Sequence, residues 1–410
     1  MTGEPLLTGD EVEVEVGAVA HGGHCVARHE GQVVFVRHAL PGERVRVRVT
    51  EGAEGDRFVR ADAVEVLEAS AHRVEPPCPY AGPGGCGGCD WQHADLAHQR
   101  RLKTDVVREQ LWRLARVESD VEVEEVPGDA RGLRWRTRVQ LAVDDDGRAG
   151  LRPHRSHGVI PVDDCLIATD GLRETHVLER PWPGRTGVEV VDPSAGEALA
   201  VSLPTGPQVP ALRERVTASV AGRPVSHDFL VSARGFWQVH PAAASTLVQA
   251  VLDAAQVRER DRVLDLYSGV GLFTRFLAEA TGPRGSVTGV EGDRVATGYA
   301  AANLRETPWA RATCSDVARW LRSPQGHRAK GRADVVVLDP PRVGAKRAVV
   351  RGIVDLAPRR VVYVACDPAA LARDTAYLLE AGWRLESLRA FDLFPMTHHV
   401  ECVASFAPAP

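Results

Sequence analysis

The sequence predicts an α/β protein in which residues 228–410 form a doubly wound sheet, preceded by a small β-barrel over residues 1–70 and a β-rich central region over 71–227. Three observations carry this expectation. From about residue 228, short apolar runs alternate with helical patterns: VLDLYSGVGLFTRFLA, then SVTGVEGDRVATGYAAANL, then VVVLDPPRVG, then VVYVACDPAALARD. Strands alternating with helices build a mainly parallel sheet with helices on both faces. Residues 9–70 instead alternate apolar and polar positions on a period of two. Between these regions, three cysteines are bunched at positions 78, 86 and 89 among glycines and prolines.

The bulk numbers narrow the function classes. A chain of 410 residues has room for two or three domains with their own cores. A formal net charge of -5 does not announce a nucleic-acid binder. The basic residues are almost all arginine, a bias that a GC-rich genome explains as readily as a guanidinium-dependent function. No long apolar run appears, and MTGEPLLTGDEVEV lacks the basic start and apolar stretch of a signal peptide, so the expected location is cytoplasmic with no membrane partner. Eight cysteines without an export signal speak against disulfides, and the clustering of three of them points to a metal. No obligate protein partner is inferred.

In the first region the alternation runs through Val12, Val14 and Val16, then Val33 and Phe35, then Val45, Val47 and Val49, then Val64 and Val66, with AHGGH and LPGER as turns. Several short strands at this spacing predict a closed or nearly closed barrel. The stretch GDEVEVEVGAVAHGGHCVARHEGQVVFVRHALPGERVRVRV resembles a TRAM domain, a small OB-like RNA-binding barrel. On that resemblance Arg28, His29, Arg37, His38, Arg44, Arg46 and Arg48 would contact phosphates. The alternative is a solvated strand face with no partner.

The segment CPYAGPGGCGGCDWQH, 78–93, is loose enough for Cys78, Cys86 and Cys89 to converge on one centre. Cys165, in PVDDCLIA, is the candidate fourth ligand, and the spacing alone allows either a four-cysteine zinc site or an iron–sulfur cluster. Residues 94–117 place Leu96, Leu102, Val106, Leu111 and Leu114 near one face, which predicts an amphipathic helix. In the following strands Arg131, Arg134, Arg136, Arg138, Arg148, Arg152 and Arg155 crowd around Trp135. Such a pattern suits a nucleic-acid backbone with one stacked base, or a purely structural surface.

The chemistry lies in the last region. A glycine turn after its first strand (Gly269, Gly271) and an acid ending the second (Glu291) are the parts of a nucleoside-cofactor site. Two spaced glycines and a strand ending in DPPR favour S-adenosylmethionine over NAD. Arginine stands at 342, where base amino-group methylases place an aromatic, and that directs attention to Cys366. This cysteine closes a strand, and Asp367 and Pro368 then open a helix as cap and first residue. The helix dipole favours a thiolate there, while Asp367 opposes it. Carbon 5 of uracil is a poor nucleophile, so its methylation needs a thiolate at carbon 6 and a base for the carbon 5 proton. Glu401 lies within reach in the terminal hairpin expected from Arg384–Phe391 and His399–Phe406. His398 and His399 are competing bases and Cys402 a competing thiol.

Taken together, the TRAM-like barrel, CPYAGPGGCGGCDWQH with Cys165, GFWQVHP, DLYSGVGLF, VEGD, LDPPR, VACDPAALARD and HHVECV resemble the RNA 5-methyluridine methyltransferases along essentially the whole chain. The resemblance implies a Rossmann-like methyltransferase domain with Cys366 as nucleophile and Glu401 as general base. It implies that Gln238, Tyr267, Gly269, Gly271, Glu291, Asp316 and Asp339 line the S-adenosylmethionine and uridine pocket. It also implies a [4Fe–4S] cluster on Cys78, Cys86, Cys89 and Cys165, with zinc as the alternative metal. The presence of that motif favours ribosomal RNA over tRNA as partner. The helix at 94–117 is expected to pack on the catalytic domain. The chain departs from the family pattern at His240, where many relatives carry asparagine, and at Leu272. Two other readings remain at this stage: an RNA-binding or chaperone protein retaining the methylase fold, and an RNA cytosine-C5 methyltransferase, against which stands the absence of cysteine from DPPR.

Overall fold

The computed structural model describes residues 5–128, 131–206, 209–329 and 332–410. Residues 1–4 of the expected barrel, and 129, 130, 207 and 208 of the expected central region, lie outside it. Five strands, Glu11–Val19, Cys25–His29, Gln32–Arg37, Arg44–Glu51 and Phe58–Glu68, close into a barrel. Its inward positions are the alternating valines: Val34, Val36, Val45 and Val47 are fully buried, each contributing about 1.5–3 kcal/mol by leaving water. The outward positions pair by charge. Antiparallel register sets Glu11 opposite Arg48, Glu13 opposite Arg46 and Glu15 opposite Arg44, so EVEVEV and RVRVRV answer each other across the ladder.

The expected helix forms over Leu96–Gln110, capped by Asp95, whose carboxylate accepts from His98 N at 2.7 Å. It is sandwiched. Leu102 and Val106 enter the barrel core with Trp91, while Val107 and Leu111 enter the core under the catalytic sheet. A π-helical turn follows at Leu111–Ala115. The extra residue in that turn rotates the apolar stripe away from its face, and Leu114, expected inside, is 46% exposed.

The central region contributes a five-stranded sheet built from Arg138–Val143, Ala149–Leu151, Ile160–Pro161, Gly187–Val191 and Leu199–Leu203. Strands Ala211–Val220 and Arg223–Ser232 form a separate hairpin whose Val216, Phe229 and Val231 pack into the catalytic core. The expected boundary at 227/228 therefore falls inside a strand and inside one hydrophobic core.

The catalytic sheet has eight strands in the order Ala310–Cys314, Ser286–Glu291, Arg262–Leu266, Val335–Leu338, Arg360–Ala365, Glu401–Pro408, Trp383–Phe391 and Val123–Glu124. The first five are parallel, as uninterrupted apolar strands buried on both faces require. Glu401–Pro408 then runs antiparallel between Arg360–Ala365 and Trp383–Phe391. The expected hairpin is present, but its second strand lies inside the sheet and residues 123 and 124 supply the edge. Strand order reverses between Arg262–Leu266 and Val335–Leu338, and the crevice at their carboxyl ends is where such sheets bind ligands.

Candidate active site

At that crevice, Tyr267 N donates to Val290 O at 2.8 Å and Asp339 N to Leu266 O at 3.2 Å, so the ends of three strands are tied together. Tyr267, Gly269 and Gly271 all take positive φ, at 62°, 55° and 88°. Only the glycines do so without strain, and a tyrosine held there marks a site the surrounding fold over-determines. A Cβ added to Gly269 meets nothing within 4 Å, leaving the turn open to a ligand. Glu291 ends its strand with one carboxylate oxygen accepting from Gly269 N at 2.9 Å and the other from Asp293 N at 2.7 Å. Asp316 caps helix Val317–Leu321, accepting from Arg319 N at 2.8 Å, and its charge helps burial raise the Tyr267 phenol to about 12. These residues fit a nucleoside cofactor: an open backbone turn beside a carboxylate that ends the neighbouring strand.

Gln238 is buried in the stretch after Arg223–Ser232. Its neighbours Val239 and His240 pack with Trp135 and Phe394, beside the loop that leads into Glu401. His240 serves locally, its Nδ1 accepting from Ala242 N at 3.1 Å. Phe236, two residues before Gln238, is 79% exposed, the most exposed large apolar side chain among the described residues.

Cys366 stands between strand Arg360–Ala365 and helix Pro368–Glu380, with Asp367 capping that helix through Ala370 N at 2.7 Å. Burial pushes its thiol up to about 12, reinforced by the carboxylates of Glu401, Asp339 and Asp367 and opposed by the Arg342 guanidinium. The helix dipole does not win here. Glu401 is buried at the start of its strand and is raised well above the ordinary carboxylate range by burial and by Asp339, again opposed by Arg342. Asp339 is raised by burial and by Asp265 beneath it. Cys366, Glu401, Asp339 and Arg342 thus feel one another within a single site. His399 is held neutral by burial, near 3, with Arg342 Nη2 at 3.3 Å, and His398 is taken up by Asp90 at 2.6 Å. Cys402 is fully buried on the opposite strand face.

Three groups escaped the sequence reading. Asp265 accepts from Thr274 Oγ1 at 2.5 Å under the glycine turn and is raised to about 7 by burial. The acid in VLDLYSG was the available signal. Asp374 accepts from Tyr363 OH at 2.8 Å and from Ala345 N and Lys346 N at 2.7 and 3.1 Å, which fixes the loop after DPPR against the helix after Cys366. Arg342 was read only as an absent aromatic.

Cys78, Cys86, Cys89 and Cys165 line one small cavity. Their thiols feel one another electrically, and burial raises those of Cys86, Cys89 and Cys165. Gly88 N points at Cys86 Sγ from 3.4 Å, Cys78 N donates to Gln92 Oε1 at 3.1 Å, and Tyr80 OH donates to Asp163 beside Cys165 at 3.1 Å. A Cβ on Gly85 would lie 2.3 Å from Tyr80 O, and one on Gly87 2.4 Å from His154 N, so the loop's glycines are demanded by close packing. Among the described residues no three or more histidine, cysteine, aspartate or glutamate side chains are grouped so as to hold a metal ion.

The expected phosphate contacts are largely engaged already. Arg44, Arg46 and Arg48 pair with Glu13, Glu65, Glu68 and Glu11, and Arg37 faces Asp90. His38 takes a left-handed backbone and is held neutral by burial, near 3. Trp135 is buried against His240 and Phe394 and offers no stacking face, while Arg134, Arg148 and Arg155 are paired with Asp164, Asp144 and Glu51. No helix among the described residues is long and apolar enough to cross a membrane.

Fold and site together define an S-adenosylmethionine-dependent methyltransferase joined to an RNA-binding type of barrel. A family model described as TRAM domain matches residues 5–64, and one described as tRNA (Uracil-5-)-methyltransferase matches residues 327–406. A Streptomyces coelicolor protein described as an uncharacterized RNA methyltransferase is 48% identical over 99% of this chain and 95% of its own length. A Bifidobacterium longum protein of the same description is 42% identical over 98% of each chain. The solved Pyrococcus abyssi tRNA (uracil-54, C5)-methyltransferase, in complex with S-adenosyl-L-homocysteine, shares the fold with a TM-score of 0.67 at 22% identity, covering 96% of this chain and 99% of its own. The chain belongs to the RNA (uracil-5-)-methyltransferase family.

Proposed function

We propose that the protein methylates carbon 5 of a uridine in structured RNA through a covalent adduct between Cys366 and carbon 6, with ribosomal RNA favoured over tRNA. The observation that supports it is the meeting of Cys366, Glu401, Asp339 and Arg342 at the carboxyl edge of the sheet. Gln238, Tyr267, Gly269, Gly271, Glu291, Asp316 and Asp339 would hold S-adenosylmethionine, which would supply an electrophilic methyl group when bound. Cys366 loses its proton to solvent and its Sγ adds as thiolate to carbon 6 of a flipped-out uracil, which turns carbon 5 into an enolate carbon able to take that methyl. Glu401 in its ionised form then accepts the carbon 5 proton, the C5–C6 double bond re-forms, and the sulfur leaves as thiolate. Arg342 opposes the negative charge that builds on thiolate and carboxylate.

The four cysteines suit a [4Fe–4S] cluster better than zinc. The preference rests on the likeness of CPYAGPGGCGGCDWQH with Cys165 to the family pattern, and the four cysteines line one cavity; zinc, which takes four sulfurs at about 2.3 Å, is the alternative. Bound there, the cluster would brace the loop whose next residue, Asp90, holds His398. The barrel, the cluster-bearing central region and the methylase region divide the work as RNA contact, brace and catalysis.

The test is incubation of anaerobically purified protein with S-adenosylmethionine and 5-fluorouridine-substituted ribosomal RNA, followed by a denaturing gel. Fluorine cannot leave as a proton does, so a protein–RNA band that maps to Cys366 is expected. RNA that binds without forming any adduct would instead mark a binding protein on a methylase fold. With natural RNA, Glu401→Gln is expected to accumulate the same adduct and to slow turnover by roughly 10²–10⁴-fold. If no adduct persists in that variant, the base lies elsewhere.

A pH dependence follows from the raised thiol. A pKa held above its ordinary value means that the proton is retained through neutral pH, so the reactive thiolate fraction grows as pH rises. Alkylation of Cys366 by iodoacetamide in the free protein should accelerate about tenfold per unit from about pH 7 to 9. A rate that is flat below pH 8 would contradict the electrostatic environment described.

A further inference from the structure

The turn that joins the first two barrel strands reaches into the catalytic pocket. His21 Nε2 lies 3.0 Å from Asp367 Oδ2, across 346 residues of sequence. Gly23, at a φ of 84°, packs so closely that a Cβ there would lie 2.7 Å from His398 Cβ, and its carbonyl accepts from Trp91 Nε1 at 3.0 Å. A cavity of about 220 Å³ is walled by His21, Gly22 and Gly23 on one side and by Arg342, Cys366 and His399 on the other. The Asp367 carboxylate is shared: one oxygen caps the helix after Cys366, and the other is held by the barrel.

We propose that this barrel turn forms a wall of the target-base pocket and that His21 is a positioning residue, holding Asp367 so that the strand-to-helix turn presents Cys366 to the base. The proposal rests on the reading of Cys366 as nucleophile. Asp367 raises the His21 imidazole above its ordinary value through their hydrogen bond and its charge, against burial and with help from Glu109 on the sandwiched helix. Around Cys366 itself stand Glu401, Asp339, Arg342 and Asp367. The barrel thereby does more than gather RNA: without its turn, the cavity over Cys366 is open on one side.

The test uses the full chain as His21→Ala and His21→Gln, since glutamine carries an amide donor at a similar reach. Two readouts are taken: kcat and KM for methyl transfer to ribosomal RNA, and amide hydrogen exchange over residues 366–371. His21→Ala is expected to lower kcat about tenfold with KM within about twofold, His21→Gln to recover to within about threefold of the parent, and exchange to quicken only in the alanine variant. Unchanged exchange and kcat in His21→Ala would overturn the role, as would a rise in KM alone, which would make His21 an RNA contact. Methyl transfer surviving in Cys366→Ala would remove the functional reading, and exchange at 366–371 would then decide the positioning role by itself.

Discussion

Cys366→Ala should abolish methyl transfer, by roughly four orders of magnitude or more, while S-adenosylmethionine binding persists. The reason is electronic: without sulfur at carbon 6, carbon 5 stays part of a conjugated, electron-poor ring. The cofactor turn at Gly269 and Gly271 and the Glu291 carboxylate are separate from the thiol and stay intact. Cys402 cannot substitute, because it is fully buried on the other face of its strand. Methyl incorporation into RNA and calorimetric titration with the cofactor check both halves. Turnover within about tenfold of the parent would rule out Cys366 as nucleophile.

Lys103→Met should cost about 3–5 kcal/mol of stability. Lys103 Nζ donates to Asp392 at 2.5 Å and to the Phe394 carbonyl at 3.0 Å, and both charged side chains are shielded from water. Methionine fills the space but leaves the Asp392 carboxylate buried without its cation. The same substitution loosens the 392–400 loop, which Gln99 also grips through Met396 N at 2.8 Å and Asp90 through His398. Because that loop delivers Glu401, activity should fall with stability. Denaturant unfolding measures the first effect. A loss below about 1 kcal/mol would mean that the pair contributes as little as a surface ion pair. Lys103→Met with Asp392→Leu should regain most of the loss, since removing both charges removes the uncompensated one.

The parts of the fold that follow from local patterning were legible. Period-two valines produced the barrel, and apolar runs ending in glycine turns or acids produced the parallel strands, because one buried face or two leave their mark on consecutive residues. Cys366 with its Asp-Pro cap was legible for the same reason. Pairing was not. Arg44, Arg46 and Arg48 look like phosphate ligands until the register sets glutamates opposite them, although EVEVEV already carried the complementary pattern. Trp135 among arginines looks like a stacking platform, but its burial is decided by His240 and Phe394, more than a hundred residues away. Lys103 reads as one more charge on a helix, and only the partner at 392 makes it structural. The candidate carboxylates Glu401 and Asp339 were visible as residues, whereas their raised proton affinities arise from burial in the crevice and then from neighbouring carboxylates.

The Lys103–Asp392 contact also sets a schedule for synthesis. Its partners are 289 residues apart, so at about 5–20 residues per second the ammonium waits some 15–60 s on the ribosome before its carboxylate exists. The catalytic sheet waits as well, since its sixth strand, Glu401–Pro408, lies between two strands made earlier. The barrel is complete long before, and Trp91, Leu102 and Val106 belong to its core. During elongation the barrel therefore acts as a holder, keeping one side of the helix sheltered while the other, with Val107 and Leu111, stays wet until the last strand arrives.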